Sequence, residues 1–286
     1  MEYLMLAVTI MFASANNIVL RAHKGKEKQS DSFMFNCIVS AVWIVVLIGI
    51  RNVKININAG AVVYALLYGV IQGLFLFFKM QAMTNGPVAV TTLIGNCSLL
   101  VSTALGVLIW HEKVGIWQAV GVIILICAMF LCMSGGKKGE KASLKWKLYC
   151  VGFFVSAGLV GIVFKAFSKS GCADASDMMI TAAIVMTIFC FIVSKIFAAK
   201  EGADGFNKTD LCAAAACGIL SCVYNRINIY LTGALDSVIF FPVFNGGVIL
   251  LASLLAFLIF KEKLSSKRKI GIAVGIIAIC IIGILK

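Results

Sequence analysis

Arg226 is the residue that most needs a chemical reason. It stands in Tyr224-Asn225-Arg226-Ile227-Asn228, near the middle of a long apolar run. An arginine at the centre of a membrane helix costs about 2.5–3.5 kcal/mol on insertion scales, so it should face a cavity or a partner. Its planar fork suits a carboxylate or phosphate. Asn225 and Asn228 beside it would orient the rest of such a solute. The alternative is structural: packing against backbone carbonyls. Lys79 is the other cation inside an apolar run, and it lies close enough to the end of that run to snorkel to the headgroups.

Around these two stand hydrogen-bonding residues at helical spacing. Tyr64, Tyr68, Gln72, Phe75 and Lys79 share one face; Ser221, Tyr224 or Asn225, Asn228 and Thr232 share another. Polar faces are costly against lipid, so they should line a wet interior or bond between helices. Gly95-Asn96 and Asn245-Gly246-Gly247 interrupt two further runs at matched positions, a pattern that marks solute sites in carriers. Pro242, one turn before Asn245, is placed to kink its helix and free a carbonyl. Asn16 and Asn17 complete the expected substrate-binding set: Asn16, Asn17, Tyr68, Gln72, Lys79, Asn96, Tyr224, Asn225, Arg226, Asn228 and Asn245.

Several chemistries find no residues to carry them. All twelve acidic residues fall at helix ends or in loops, whereas a proton relay or cation site needs a carboxylate at depth. His23 and His111 have no companions at metal-ligand spacing, so no metal and no cofactor is expected. The eleven cysteines are scattered through apolar segments without a Cys-x-x-Cys pair and read as small buried hydrophobes. There is no Gly-x-x-x-x-Gly-Lys phosphate loop and no catalytic cluster, so the chain is not read as an ATPase or any other enzyme.

The elements that position these residues follow from composition. The chain is 62% hydrophobic and 13% charged, with a mean hydropathy of +1.04, so most residues must meet lipid. Ten apolar runs approach or reach the length that crosses a bilayer: 3–21, 34–50, 60–83, 87–110, 115–134, 146–167, 177–197, 211–232, 237–260 and 270–285. The first has no basic leader before Ala13-Ser14-Ala15, so it reads as a retained helix rather than a cleaved signal. A net charge of +13 suggests nucleic acid, but the basic residues sit in short gaps between apolar runs, as membrane-flanking charges do. Lys113, Lys165 and Lys169 are placed among those flanking charges.

The chain also repeats. Phe12-Ala13-Ser14-Ala15 with Ile18-Val19-Leu20-Arg21-Ala22 recurs as Phe154-Val155-Ser156-Ala157 with Ile162-Val163-Phe164-Lys165-Ala166. Glu112 and Glu262 each close an apolar run, and Gly121 and Gly271 follow them at equal distance. The expected organisation is a first repeat over 1–136, a linker at 137–145 and a second repeat over 146–286. Five helices per repeat is an odd number, so the halves must be inverted. The fold class is therefore all-α integral membrane, with ten transmembrane helices in two inverted five-helix repeats.

The glutamate closing helices 4 and 9, with its following glycine, resembles the drug/metabolite transporter superfamily, in its ten-helix EamA-like form. That resemblance implies a basket whose cavity is lined by helices 1, 3, 4, 6, 8 and 9, with helices 5 and 10 peripheral. It also implies export, a bacterial inner membrane and termini in the cytoplasm. The distribution of Lys and Arg argues the opposite orientation, with both termini outside. Glu112 and Glu262 are expected to tie helix ends together rather than bind solute. The function expected is secondary transport of a small polar metabolite (amino acid, organic anion, sugar or sugar phosphate) by alternating access. A non-transporting membrane scaffold or sensor is the rival. The partners are the solute and the lipid bilayer, not nucleic acid, and the sequence leaves a homo-oligomer open.

Overall fold

A computed structural model describes residues 1–22, 28–51, 59–85, 91, 94–133, 143–260 and 266–284. They form ten helices: α1 Glu2–Ala22, α2 Gln29–Arg51, α3 Ala59–Asn85, α4 Leu99–Trp110, α5 Ile116–Met133, α6 Leu144–Ser170, α7 Ala175–Glu201, α8 Lys208–Ala234, α9 Ser237–Phe260 and α10 Ser266–Ile284. Among the described residues there is no strand. Seven of these helices are long and apolar enough to span a bilayer; the apolar parts of α4, α5 and α10 are shorter. In lipid every backbone group must be satisfied internally, which selects helices.

Helix ends are closed by local chemistry. Ser143 accepts from Trp146 N at the start of α6, and Asp174 accepts from Ser176 N at the start of α7. Asn207 and Asp210 form a reciprocal capping box at the start of α8. Gly171 ends α6 with φ of 58°, a conformation a side chain would strain.

The packed pairs close eight helices into a ring, in the order α1, α8, α2, α7, α3, α6, α4, α9 and back to α1. α6 also touches α8 across the ring, and α5 and α10 pack on each other and on α9 outside it. Exchanging the halves maps this pattern onto itself at most contacts: α3 on α6 matches α8 on α1, α3 on α7 matches α8 on α2, and α4 on α6 matches α9 on α1. The correspondence reaches single side chains. A Cβ on Gly69 would lie 2.6 Å from Val185, and one on Gly218 would lie 2.7 Å from Val42, so glycine lets α3 approach α7 as it lets α8 approach α2. Leu6, early in α1, clusters with Ile162, late in α6, so the two halves begin in opposite directions.

Two features differ from expectation. Within the run expected to be one helix over 87–110, a tight turn at Cys97-Ser98 separates the helical residues 94–96 from α4. The matched break in α9 is absent, and that helix is continuous through Asn245-Gly246-Gly247. There the glycines serve packing instead: a Cβ on Gly246 would lie 2.8 Å from Leu125, and one on Gly247 2.7 Å from Ile10.

Candidate functional site

The ring interior can be followed helix by helix. On α3, Val63, Leu66, Leu67, Val70 and Leu74 make an exposed apolar stripe suited to lipid. Tyr68, Gln72 and Lys79 fall on another face, with the buried Ala61 and Ala65. Tyr68 and Gln72 line a cavity with Asn36, Ser40 and Trp43 of α2 and with Ala183 and Met186 of α7. Its volume is about 50 Å³. That is room for a few waters and is smaller than the roughly 300–1,000 Å³ of small-molecule sites.

The polar groups of this cavity are held by the helices that bear them. Ser40 Oγ accepts from or donates to Thr187 Oγ1 at 2.9 Å, and Trp43 Nε1 donates to Ser221 Oγ of α8 at 2.8 Å. Asn36 donates to its own Ser32 carbonyl, which leaves its carbonyl oxygen available. Tyr68 is 3% exposed; its ring stacks on Phe164 at 4.8 Å, while its hydroxyl has no hydrogen bond among the described residues.

On α8, Ser221, Asn225 and Asn228 lie on the packed face with Ala214 and Thr232. Asn228 is 4% exposed, and its carbonyl oxygen has no partner among the described residues. Asn16 of α1 is in the same condition. Such groups normally find a partner, and each one left over calls for a water or a ligand. Asn17 lies on the face of α1 that holds the buried Leu6 and Ala13, yet it is exposed, so the interior opens towards that end of α1. Tyr224 reaches Phe244 of α9, with centroids 6.3 Å apart. Asn225 and Asn245 each donate to the carbonyl four residues earlier. Asn96, half-buried, lies in the turn ahead of α4, and Lys79 lies over the Phe75 ring at 5.7 Å.

Arg226 does not join this set. It is exposed on the stripe of α8 that carries Cys212, Ile219 and Tyr230, and its Nε donates to Ser176 Oγ in the first turn of α7 at 2.9 Å. It stands eight residues from the end of α8, about 12 Å along the axis. The side chain covers much of that distance by snorkelling, which lets it reach the interface.

The buried cation is Lys165 of α6, which sequence position alone puts among the flanking charges. It is 1% exposed. Its ammonium bonds Glu112 Oε1, Ser237 Oγ at 2.8 Å and the Leu235 carbonyl at 3.3 Å, and lies over the Trp110 ring at 5.4 Å. Glu112 Oε2 accepts from Ser237 N at 2.6 Å. Glu112 thus ties helix ends, as expected of it. Its repeat partner Glu262 lies outside the described residues, as do His23 and most of the linker. Lys165 pairs with Arg21 in the repeat, and a basic residue held at the same place in both halves was the signal available for it.

Residues 1–134 match the EamA-like transporter family, consistent with a place in the drug/metabolite transporter superfamily. With seven helices long and apolar enough to cross a bilayer, the match points to a multi-pass membrane protein. An uncharacterised protein of Haemophilus influenzae is 27% identical over 192 residues, covering 64% of this chain and 62% of that one. A crystal structure of another protein is similar in fold, with a TM-score of 0.77 over 100% of this chain and 99% of that chain at 14% identity.

Proposed function

We infer that the chain is a carrier that moves a small polar solute through the ring interior by alternating access, as two inverted repeats over 1–136 and 146–286. The observation that carries this reading is the cavity between Asn36, Ser40, Tyr68 and Gln72 inside a ring of apolar helices, together with the buried Asn16 and Asn228 carbonyl oxygens, which have no partner among the described residues. A scaffold has no use for unpaired buried polar groups, which cost about 1–3 kcal/mol each.

The groups facing the interior are hydroxyls and amides, with Lys79 as the cation towards the far end of α3. This favours sugars and zwitterionic amino acids over cationic drugs. With Arg226 outside the interior, it also weakens the case for sugar phosphates and other strong anions. Export across a bacterial inner membrane is the direction the family resemblance favours.

The test is flux of labelled amino acids and sugars in proteoliposomes, beside a thermal-shift screen in which a bound solute raises apparent stability. Asn228→Leu removes an unpaired acceptor. It should leave the melting temperature unchanged or higher while lowering flux about tenfold or more. Wild-type flux in a folded Asn228→Leu protein removes that residue from the site. Absence of flux for every solute class tested counts against the carrier reading itself.

A further inference from the structure

Each helix crosses in turn, so the face where α1 begins also holds the ends of α2, α4, α6, α8 and α10 and the starts of α3, α5, α7 and α9. Two apolar clusters join helices from all round the ring and reach this proximal face at Leu6, Phe167, Met178 and Ile282. One draws on α2, α3, α6, α7 and α8; the other draws on α1, α4, α5, α6, α8, α9 and α10. At the opposite, distal face the described residues form three separate clusters. They join α2, α3 and α7; α1, α2 and α8; and α3, α6 and the turn before α4. At the distal end of α1, Asn17 is exposed on an otherwise buried face.

We propose that the Lys165–Glu112 pair, with Ser237, is the latch that holds the proximal face shut, and that it must part for the interior to open there. This rests on the carrier reading for its purpose, but not for its test. One ammonium, buried to 1%, joins three elements that meet only at this end: the α4–α5 junction through Glu112, α6 through its own backbone, and the α8–α9 turn through Leu235 and Ser237. Both carboxylate oxygens of Glu112 are used, one by the ammonium and one by Ser237 N. α4 and α6 border the same side of the ring, and the α8–α9 turn faces them. Separating these elements opens the seal and gives both charges water. Closing them requires the pair to re-form, because neither charge can be buried alone. A tie of this kind has two discrete states, which alternating access needs.

The experiment is hydrogen exchange on the full chain in lipid nanodiscs, with no solute added, comparing wild type with Glu112→Gln. A latch predicts reciprocal change. Amides of 235–241 and of the last turn of α4 should exchange about tenfold faster, while amides of 13–20 in α1 and 211–217 in α8 become about threefold slower as the distal face closes. Faster exchange at the proximal face alone makes the pair a structural staple and overturns the proposal, as does no change at all. If Glu112→Gln does not fold, Ser237→Ala decides. It removes one acceptor from the ammonium and keeps the pair, and it should give the same reciprocal shift at smaller size. A protein with the reciprocal shift but no flux in proteoliposomes keeps the latch and loses the carrier reading.

Discussion

The two faces of the bundle are held together by different chemistry. At the proximal face one buried ion pair joins α4, α6 and the α8–α9 turn, beside two apolar clusters that run through the bundle to that face. At the distal face one set of polar ties runs between α2 and the end of α7. Ser30 N donates to Glu201, Ser30 Oγ to the Gly202 carbonyl, Ser194 to the Ser30 carbonyl, and Lys28 to Asp204 at 2.5 Å. These two helices are neighbours in the ring, so these ties fix a wall. Gln81 Nε2 donates to Gln29 Oε1 between α3 and α2, and Trp146 Nε1 donates to Thr91 Oγ1 ahead of α4. The Asp204 carboxylate holds the Lys28 ammonium above its usual range, but both groups are substantially exposed. The lesson is that where an ion pair sits, and which helices it joins, decides whether it governs access or merely a wall.

The largest expected effect follows from that contrast. Lys165→Met leaves the Glu112 carboxylate buried without its cation and should destabilise the protein by about 3–5 kcal/mol. Adding Glu112→Gln should recover much of the loss, because the amide oxygen still accepts from Ser237 N. Asp204→Asn at the distal face should cost no more than about 1 kcal/mol. Thermal unfolding of the three variants in one detergent checks the order. Equal losses for Lys165→Met and Asp204→Asn would erase the difference between the faces.

A middle-sized effect compares the halves rather than the faces. Gly69→Ala and Gly218→Ala each put a methyl within 2.6–2.7 Å of a valine on the facing helix. Each should cost about 1–3 kcal/mol through strain, and by similar amounts if the repeats are equivalent. A loss at one glycine with none at the other, read by the same unfolding assay, would show that the two crossings carry unequal load.

Much of this architecture was legible beforehand, because lipid imposes it. Apolar runs and their short basic gaps placed the ten helices, and the Arg21/Lys165 and Glu112/Glu262 pairs revealed the repeat. Tyr68 and Gln72 were legible as interior residues because α3 is amphipathic in the plain sense, with Val and Leu opposite them. Burial depth was not legible. Lys165 and Arg226 are both cations several residues from a helix end, and nothing local says that one faces the ring and the other lipid. That depends on how α6 and α8 are rotated about their axes, which their neighbours across the ring decide. The straightness of α9 at Asn245-Gly246-Gly247 was also beyond local reading, since Leu125 and Ile10 fill the space that the glycines leave.

The smallest expected effect is at Arg226, and it is the sharpest test of where the interior lies. An arginine that anchors a solute and one that snorkels to an interface look alike in sequence, but they respond differently to neutralisation. Here the guanidinium is exposed and its Nε meets only the Ser176 hydroxyl. Arg226→Gln keeps a donor for that hydroxyl and removes a charge already near water. The stability change should be within about 0.5 kcal/mol, as for most exposed substitutions, and flux should stay within about twofold of wild type. Asn228→Leu, on the packed face of the same helix and only two residues away, should by contrast remove flux while folding normally. If the order is reversed, with Arg226→Gln folded and inactive and Asn228→Leu active, then α8 presents its other face to the solute. The interior would then have to be redrawn around the arginine.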